Sequence, residues 1–302
     1  MKRVPTAAVL ARLRTVRGFL FDLDGTLVLG DKHNLGFRAL PGALEFTRHL
    51  TALRVPFAVL TNGTVRTPAQ YAEKLRAMGF AIEDHMMLTP ASIAAEYFRR
   101  RGIQRVLVLG GEGVTGPLAA AGLEPVLPRE HRSDVQAIML GWYREFKFED
   151  LELACEAAWG GARVFTASLS PFYATADGRA LGTSRAIAAM IASLTGKRAT
   201  ILGKPALFAL KFAATQIGVK SSALAVVGDD PELEVPMAHR GRSLAVAVHS
   251  GVGRAAAFES MSRATRAHLV VRDIAELARL YVTGAASGAA AKRALRPARS
   301  RR

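Results

Sequence analysis

The sequence predicts an α/β protein in which parallel sheets are covered by helices on both faces. Short, continuously apolar runs alternate along the 302 residues with longer stretches of helical periodicity. Strands buried on both faces read as unbroken apolar runs, and a helix after each strand lets the next strand pair in parallel. The predicted strands are Gly18–Leu23, Phe57–Leu60, Val106–Leu109, Ala137–Leu140, Val164–Thr166, Leu224–Val227 and Ser243–Val248. The predicted helices include Ala43–Leu53, Pro68–Met78, Ser92–Arg101, Phe148–Ala158 and Ser184–Leu194.

The composition excludes several classes of protein. Half of the residues are hydrophobic and 22% are charged, which is a globular balance and excludes a disordered or fibrous chain. No apolar run approaches the roughly 20 residues that a membrane-spanning helix needs. Arginines interrupt the apolar start of the chain, so a lead-in helix using Leu10 and Leu13 is favoured over a signal peptide. The single cysteine, Cys155, fits a reducing compartment, and we expect a cytoplasmic protein.

The net charge of +16 is concentrated at the chain ends. Eleven of the excess positive charges lie in residues 1–17 and 285–302, which contain no acidic residue. Residues 285–302 are rich in small residues and arginine, and we expect them to form a disordered, solvated tail. A nucleic-acid or membrane-surface arm is the alternative, but the basic run lacks the interleaved aromatic residues that stack on bases. No specific nucleic-acid partner is expected.

Polar and charged residues follow the predicted strands at the points where those strands end. The first strand runs into Asp22-Leu23-Asp24-Gly25-Thr26-Leu27, and the second runs into Thr61-Asn62-Gly63. Gly203-Lys204-Pro205 precedes a helix, and Gly228-Asp229-Asp230 ends the Leu224–Val227 strand, with Glu232 and Glu234 after it. In open parallel sheets the ligand crevice lies outside the carboxyl ends of the strands. We therefore expect two acid pairs, a hydroxyl and a lysine to converge there.

This combination of residues is the one that phosphoryl transfer requires. A carboxylate nucleophile must approach a phosphorus atom shielded by negative oxygens, so the site has to offset charge on both partners. Carboxylates that hold Mg²⁺ do part of this, and a lysine and a hydroxyl can bind the remaining phosphoryl oxygens. A second carboxylic acid can protonate the leaving oxygen and then activate water.

With these four motifs in order, the chain resembles the haloacid dehalogenase (HAD) superfamily over about residues 18–284. The layout is similar to subfamily IIA, the NagD-like, 4-nitrophenyl phosphatase and phosphoglycolate phosphatase proteins, as Leu40-Pro41-Gly42-Ala43, Gly141-Trp142-Tyr143-Arg144-Glu145-Phe146 and Leu202-Gly203-Lys204-Pro205 indicate. The resemblance implies a doubly wound, Rossmann-like core domain from residues 1–87 and 195–284, with an α/β cap domain inserted at 88–194. It also implies a Mg²⁺-dependent phosphatase that hydrolyses a small phosphomonoester, such as a sugar phosphate, a nucleoside monophosphate or phosphoglycolate, through an aspartyl-phosphate.

The resemblance assigns roles to the reacting groups. Asp22 would be the nucleophile and Asp24 the general acid and base. Lys204 would offset the charge on Asp22 and on the phosphate. The loop Thr61-Asn62-Gly63 would bind the transferring phosphoryl group through the Thr61 hydroxyl and the Asn62 N–H.

The resemblance also implies a metal site. Asp22, the backbone carbonyl of Asp24, and Asp229 would hold Mg²⁺, with Asp230 or Glu234 beside these ligands. Family members often carry an aspartate where this chain has Glu234. Two cap segments also depart from the family: Tyr143 replaces an aspartate, and Ala167-Ser168-Leu169-Ser170-Pro171 replaces A-T-N-P-D. Cap positions choose the leaving group, and Trp142, Tyr143 and Arg144 are candidate substrate contacts.

Several alternatives remain open at this point. The segment Gly111-Glu112-Gly113-Val114-Thr115-Gly116 fits the G-x-G-x-x-G pattern of dinucleotide sites, although no acidic residue ends a strand about 20 residues later. The same glycines also suit a tight turn between a strand and a helix. A non-catalytic phosphometabolite-binding or regulatory protein, a dehalogenase and a phosphomutase are the other functions considered. Caps of this kind resemble ones that pair, so a homodimer through the cap is possible.

Overall fold

The computed structural model describes residues 5–31, 36–175, 178–251, 262 and 265–283. The described part contains two parallel sheets and two antiparallel hairpins. The strands are β1 Gly18–Phe21, β2 Val28–Gly30, β3 Phe37–Ala39, β4 Phe57–Leu60, β5 Met87–Leu88, β6 Arg105–Leu109, β7 Glu124–Val126, β8 Ala137–Leu140, β9 Arg163–Thr166, β10 Phe172–Thr175, β11 Gly178–Leu181, β12 Thr200–Ile201, β13 Leu224–Gly228, β14 Leu244–Val248 and β15 Leu269–Val271. The α/β class that the sequence predicts is confirmed.

Helices connect most of these strands. They are α1 Ala7–Thr15, α2 Ala43–Ala52, α3 Pro68–Ala77, α4 Pro90–Arg99, α5 Glu112–Ala120, α6 Phe148–Trp159, α7 Thr183–Thr195, α8 Leu207–Ile217, α9 Glu234–Gly241 and α10, residues 274–283. Short 3₁₀ turns lie at Asp84–Met86, Pro128–Glu130 and Ser221–Ala223. Local sequence fixes several helix starts. Thr67 caps α3 in a reciprocal pair with Gln70, and Thr89 does the same for α4 with Ser92.

The first sheet has six parallel strands in the order β15-β14-β13-β1-β4-β5. The buried side chains of β1 explain its central place, because all four of its residues are apolar or glycine and none faces solvent. The chain moves from β1 to β4 and β5 on one side, and it fills the other side with β13, β14 and β15. A crevice opens at the carboxyl ends of the strands where the order changes direction.

Apolar side chains fill both faces of the first sheet. One face packs against α1, α2, α3 and α10, with Phe19, Phe21 and Phe46 in mutual aromatic contact. Leu13 of the predicted lead-in helix is buried in this layer, whereas Leu10 is partly exposed. The other face packs against α4, α8 and α9.

The second sheet has five parallel strands in the order β12-β9-β8-β6-β7. Its outer face is covered by α6 and α7. Its inner face belongs to the same apolar cluster as the first sheet, because Phe98 of α4 stacks edge-on against Phe165 of β9. The two sheets therefore share a continuous layer of apolar packing.

Strand ends and domain limits differ in places from the sequence predictions. The strands Phe57–Leu60 and Ala137–Leu140 are found as predicted, whereas β1 ends at Phe21 because Asp22 and Leu23 begin the turn. Strand β12 pairs with β9 of the second sheet although it follows residue 194, where the sequence places the end of the cap. The division into a core and a cap at residues 88 and 194 remains a prediction.

The predicted tail at residues 285–302 lies outside the described residues. Within the described part of the chain, no helix combines the length and apolar character needed to cross a lipid bilayer.

Candidate active site

The predicted functional residues meet at the carboxyl ends of three adjacent strands. Asp22 follows β1, Thr61 follows β4, and Asp229 follows β13. Lys204 reaches the same place from the segment between β12 and α8, and all four side chains line one cleft. The cleft is partly open to solvent, and the space between its walls, open solvent included, is about 790 Å³.

Asp22 and Asp24 stand on a sharp turn. Gly25 adopts a φ of 87°, a left-handed conformation that glycine tolerates best, and its N–H donates to the carbonyl of Val28 at 2.7 Å. The Asp22 carboxylate is 6% exposed and accepts a 3.0 Å hydrogen bond from the Thr26 hydroxyl. The turn thus presents both carboxyl groups to the cleft.

Asp24 lies in an environment that favours its neutral form. Burial and the nearby charge of Asp22 raise its pKa to about 7, although Lys204 and a hydrogen bond from Thr61 act in the opposite direction. The Thr61 hydroxyl donates to Asp24 Oδ2 at 3.3 Å. A carboxyl group with a pKa near 7 can both donate and accept a proton near neutral pH.

Lys204 is a buried cation between two carboxylates. Its Nζ contacts Asp22 Oδ1 and lies 2.7 Å from Glu234 Oε1. Burial opposes the charged form, but Asp22 and Glu234 together hold the Lys204 pKa above its ordinary value. The ammonium group is therefore charged and adjacent to the predicted nucleophile.

Glu234 contacts Lys204, which sequence reasoning did not predict. The sequence suggested a place beside the metal ligands, whereas the structure pairs Glu234 with the Lys204 ammonium and with the Asp230 N–H at 3.1 Å. Its side chain is 2% exposed, and burial, with Asp22 and Asp230 nearby, raises its pKa. Asp230 also lines the cleft, and burial raises its pKa.

Asp229 is held against the turn that carries the first acid pair. It is 2% exposed, and a Cβ placed on Gly25 would come within 2.5 Å of its Oδ2. A Cβ on Gly251 would overlap the same carboxylate. The glycines at positions 25 and 251 thus let Asp229 approach the Asp22–Asp24 turn closely.

The donor set fits a hard dication such as Mg²⁺. The described cleft lining contains five carboxyl groups but a single lysine, so its charge balance favours a bound cation. No cluster of three or more His, Cys, Asp or Glu side chains in the described residues has metal-binding geometry. The predicted site needs only the carboxylates of Asp22 and Asp229 with the Asp24 carbonyl, because Mg²⁺ usually keeps several waters.

The loop after β4 binds other parts of the protein as well as facing the cleft. Thr61 is 1% exposed, and its hydroxyl accepts the Gly63 N–H at 2.9 Å. The side-chain amide of Asn62 bonds to the backbone of Lys204 and to the hydroxyl of Ser168. The sequence pointed to the Asn62 N–H but not to these side-chain contacts.

The cap side of the cleft contains residues that the sequence left mostly unassigned. Of the three candidate contacts Trp142, Tyr143 and Arg144, only Trp142 lines the cleft. Its backbone N–H donates to the Thr64 hydroxyl at 2.7 Å, and this hydrogen bond joins the cap to the loop after β4. The other cap residues of the lining are Ser168, Ser170, Phe172, Gly182, Thr183 and Ser184. Ser168 and Ser170 lie in the segment where the sequence departs from the family pattern. That departure was the sequence feature that could have pointed to them.

The G-x-G-x-x-G segment is used for packing. Gly111 caps α5, and a Cβ on Gly113 would overlap the backbone of Thr64 and Arg66. A Cβ on Gly116 would lie 3.0 Å from Thr67. The second and third glycines therefore let α5 lie close to the loop after β4, which favours the tight-turn interpretation over the dinucleotide site.

Comparison with known proteins shows which family models and which relatives match this chain. Residues 19–124 match the family model of haloacid dehalogenase-like hydrolases, and residues 201–277 match a second, HAD-hydrolase-like model. Chronophin from Mus musculus is 27% identical over 259 residues, which cover 83% of this chain and 87% of that protein. The acid sugar phosphatase of Staphylococcus epidermidis is 28% identical over 219 residues, covering 72% of this chain and 80% of that protein.

Solved structures show the same fold. A 4-nitrophenylphosphatase from Thermotoga maritima superimposes with a TM-score of 0.79 at 25% identity, covering 89% of this chain and 99% of that one. A glycerol phosphate phosphatase from Mycobacterium tuberculosis, solved in complex with magnesium, gives a TM-score of 0.77 at 25% identity and covers 88% of this chain and 77% of that one.

Proposed function

The chain belongs to the haloacid dehalogenase-like hydrolases, and we propose that it hydrolyses a small-molecule phosphomonoester through an aspartyl-phosphate formed on Asp22. The observation that carries this proposal is the contact of the Lys204 ammonium with Asp22, in a cleft that also holds Asp24 and Thr61. A phosphoric monoester hydrolase needs a nucleophile, a cation and a proton donor in one place, and this cleft supplies all three.

In the first half of the reaction, a carboxylate oxygen of Asp22 attacks phosphorus and the bond from phosphorus to the leaving oxygen breaks. Asp24 gives its proton to that oxygen, which leaves as an alcohol. Lys204 and the Thr61 hydroxyl stabilise the negative charge that builds up on the phosphoryl oxygens. The raised pKa of Asp24, about 7, supports this role because the group carries a proton near neutral pH.

In the second half, Asp24 is a carboxylate and takes a proton from an attacking water molecule. The water oxygen bonds to phosphorus, the bond to Asp22 breaks, and inorganic phosphate leaves. Asp22 is thereby restored as a carboxylate and Asp24 as an acid.

Asp22, Asp229 and the backbone carbonyl of Asp24 would hold Mg²⁺. When bound, the ion offsets the charge of the carboxylates and of the phosphate. The acid-rich lining of the cleft and the magnesium complex of the Mycobacterium tuberculosis phosphatase support this assignment.

An uncharged, hydroxyl-bearing leaving group fits the cap side of the cleft best. Within the described lining, the cap contributes four hydroxyl side chains and two aromatic rings, while the opposite wall carries Asp229, Asp230 and Glu234. A carboxylate on the substrate, as in phosphoglycolate, would add negative charge to a lining that already contains these acidic side chains. Sugar or polyol phosphates are therefore favoured over phosphoglycolate, and the name of the acid sugar phosphatase relative supports this.

A phosphate-release screen tests the proposal. We expect wild-type protein with Mg²⁺ to hydrolyse an aryl phosphate and at least one sugar or polyol phosphate, and EDTA to stop both reactions. Release of halide from haloacids in the presence of EDTA would favour the dehalogenase alternative, and phosphate release that survives EDTA would contradict the requirement for Mg²⁺. Phosphate binding without turnover on the whole panel would favour a regulatory protein. Pairing of two copies through the cap stays a prediction, and gel filtration would test it.

A further inference from the structure

Asn62 lies at the point where three distant segments of the chain meet. Its Nδ2 donates to the carbonyl of Lys204 at 3.0 Å and to the hydroxyl of Ser168 at 3.2 Å. Its Oδ1 accepts the N–H of Lys204 at 2.7 Å. One planar amide therefore joins the loop after β4, the cap segment after β9, and the backbone of the buried lysine.

The junction is closely packed. A Cβ placed on Gly203 would overlap both Asn62 Oδ1 and the carbonyl of Ala167, so this position has no room for a side chain. Ser168 is 8% exposed, and its hydroxyl also accepts the Ser170 N–H at 3.0 Å. A shift of the cap at Ser168 must therefore move Asn62 or break its hydrogen bond.

We propose that Asn62 is a positioning residue whose side chain couples the placement of the cap, through Ser168, to the placement of Lys204. This inference rests on the proposed function, because Lys204 is the cation beside the nucleophile Asp22. The amide fixes both the N–H and the carbonyl of Lys204, and the direction of the lysine side chain follows from its backbone. A cap that is correctly seated over a substrate thus helps to hold the ammonium at Asp22.

The kinetic test compares Asn62→Ala with Gln136→Ala. Gln136 is a matched control, because its side-chain amide also bonds to backbone groups, at Gln104, Arg105 and Gly102, but it does not line the cleft. A misplacement of about 1 Å can cost about 100-fold in rate, so we expect Asn62→Ala to lower kcat by about 10- to 100-fold. The KM for an aryl phosphate should change far less, and Gln136→Ala should keep wild-type kcat. An Asn62→Ala enzyme with wild-type kcat would overturn the proposal.

The coupling itself is tested by hydrogen exchange at the Lys204 N–H in a Ser168→Ala variant. This substitution leaves both hydrogen bonds between Asn62 and Lys204 in place and removes the hydroxyl that Asn62 contacts on the cap. The Ala167 carbonyl also packs on Gly203, next to Lys204, so the double variant decides whether the effect passes through Asn62. We expect faster exchange in Ser168→Ala than in wild type, and no further acceleration when Ser168→Ala is added to Asn62→Ala. Wild-type exchange at Lys204 in Ser168→Ala would overturn the coupling.

The exchange measurement needs no substrate, so it separates this inference from the proposed function. Wild-type protein that hydrolyses no phosphate ester would contradict the phosphatase proposal. Unchanged exchange at Lys204 in an active Ser168→Ala enzyme would contradict the coupling while leaving that proposal intact.

Discussion

Lys204 Nζ lies 2.7 Å from Glu234 Oε1, and both side chains are almost fully buried although they come from different segments of the chain. The carboxylate of Glu234 and that of Asp22 hold the ammonium from two sides. Glu234 is thus an anchor for the lysine.

Replacing Glu234 tests this anchoring. We expect Glu234→Ala to lower kcat by about 10- to 100-fold, because Lys204 loses one of its two anionic contacts and can shift from Asp22. Glu234→Gln keeps an oxygen for Lys204 and should retain more activity than Glu234→Ala. Steady-state kinetics on an aryl phosphate measure both effects. Equal activity of the alanine and wild-type enzymes would show that Glu234 does not position the lysine.

Replacing Asp22 tests the nucleophile. Asp22→Asn should reduce turnover by at least about 1,000-fold, because an amide cannot form the acyl phosphate on which the reaction depends. The circular dichroism spectrum should remain that of wild type. Wild-type turnover in a folded Asp22→Asn protein would refute the assignment.

Asp24 should make the metal-free protein less stable as the pH rises. Its pKa is raised from 3.8 to about 7 in the fold, so the folded protein holds a proton that the unfolded chain has already lost. This contribution is fully favourable below about pH 4 and is lost as the pH rises through about 7.

Asp24→Asn removes that titration and should abolish turnover. In EDTA at pH 8 we expect the variant to be more stable than wild type by about 1–3 kcal/mol, with a smaller difference at pH 5. Urea unfolding at the two pH values measures this. A stability difference that is the same at both pH values would contradict the raised pKa.

Gly113 and Gly111 form a matched pair for the G-x-G-x-x-G segment. A Cβ on Gly113 would collide with the backbone of the loop after β4, whereas nothing lies within 4 Å of one on Gly111. Gly113→Ala should lower the free energy of unfolding by about 1–3 kcal/mol or more, as overpacking does. Gly111→Ala meets no neighbouring atom and should cost less, about 1 kcal/mol or below, because alanine is a poorer N-cap residue than glycine. Thermal unfolding compares them, and equal midpoints would contradict the packing role.

His268 should make the protein less stable in acid. Its Nδ1 accepts the Ala245 N–H at 2.9 Å, and burial, Arg12 and His239 lower its pKa from 6.5 to about 4. The unfolded chain therefore takes up a proton first as the pH falls below about 6.5, and stability is lost until about pH 4.

His268→Asn keeps an oxygen that can accept the Ala245 N–H but does not titrate. Since the imidazole is only partly buried, we expect wild type to lose about 1 kcal/mol more than this variant between pH 7 and pH 4.5. Urea unfolding at the two pH values checks this. An equal loss in the two proteins would show that other groups govern the acid limb.

The sequence by itself determined the fold class and pointed to most residues of the candidate site. Unbroken apolar runs such as Phe57–Leu60 locate buried strands by themselves, and the acids of the Asp22–Asp24 turn are recognisable because they directly follow such a run. The short strand Thr200–Ile201 could not be found this way, because two residues carry no periodicity and its pairing depends on β9.

Only the tertiary structure decided which site residues touch. Glu234 reads as one more acid of a loop, and Asn62 as one more polar residue after a strand, until the fold brings both to Lys204. Their partners lie 30 and 142 positions away along the chain. Local patterns report which elements form and which face is buried, because those depend on neighbouring residues. Contacts between loops depend on how the two sheets pack against each other. A pattern of neighbouring residues carries no information about that packing.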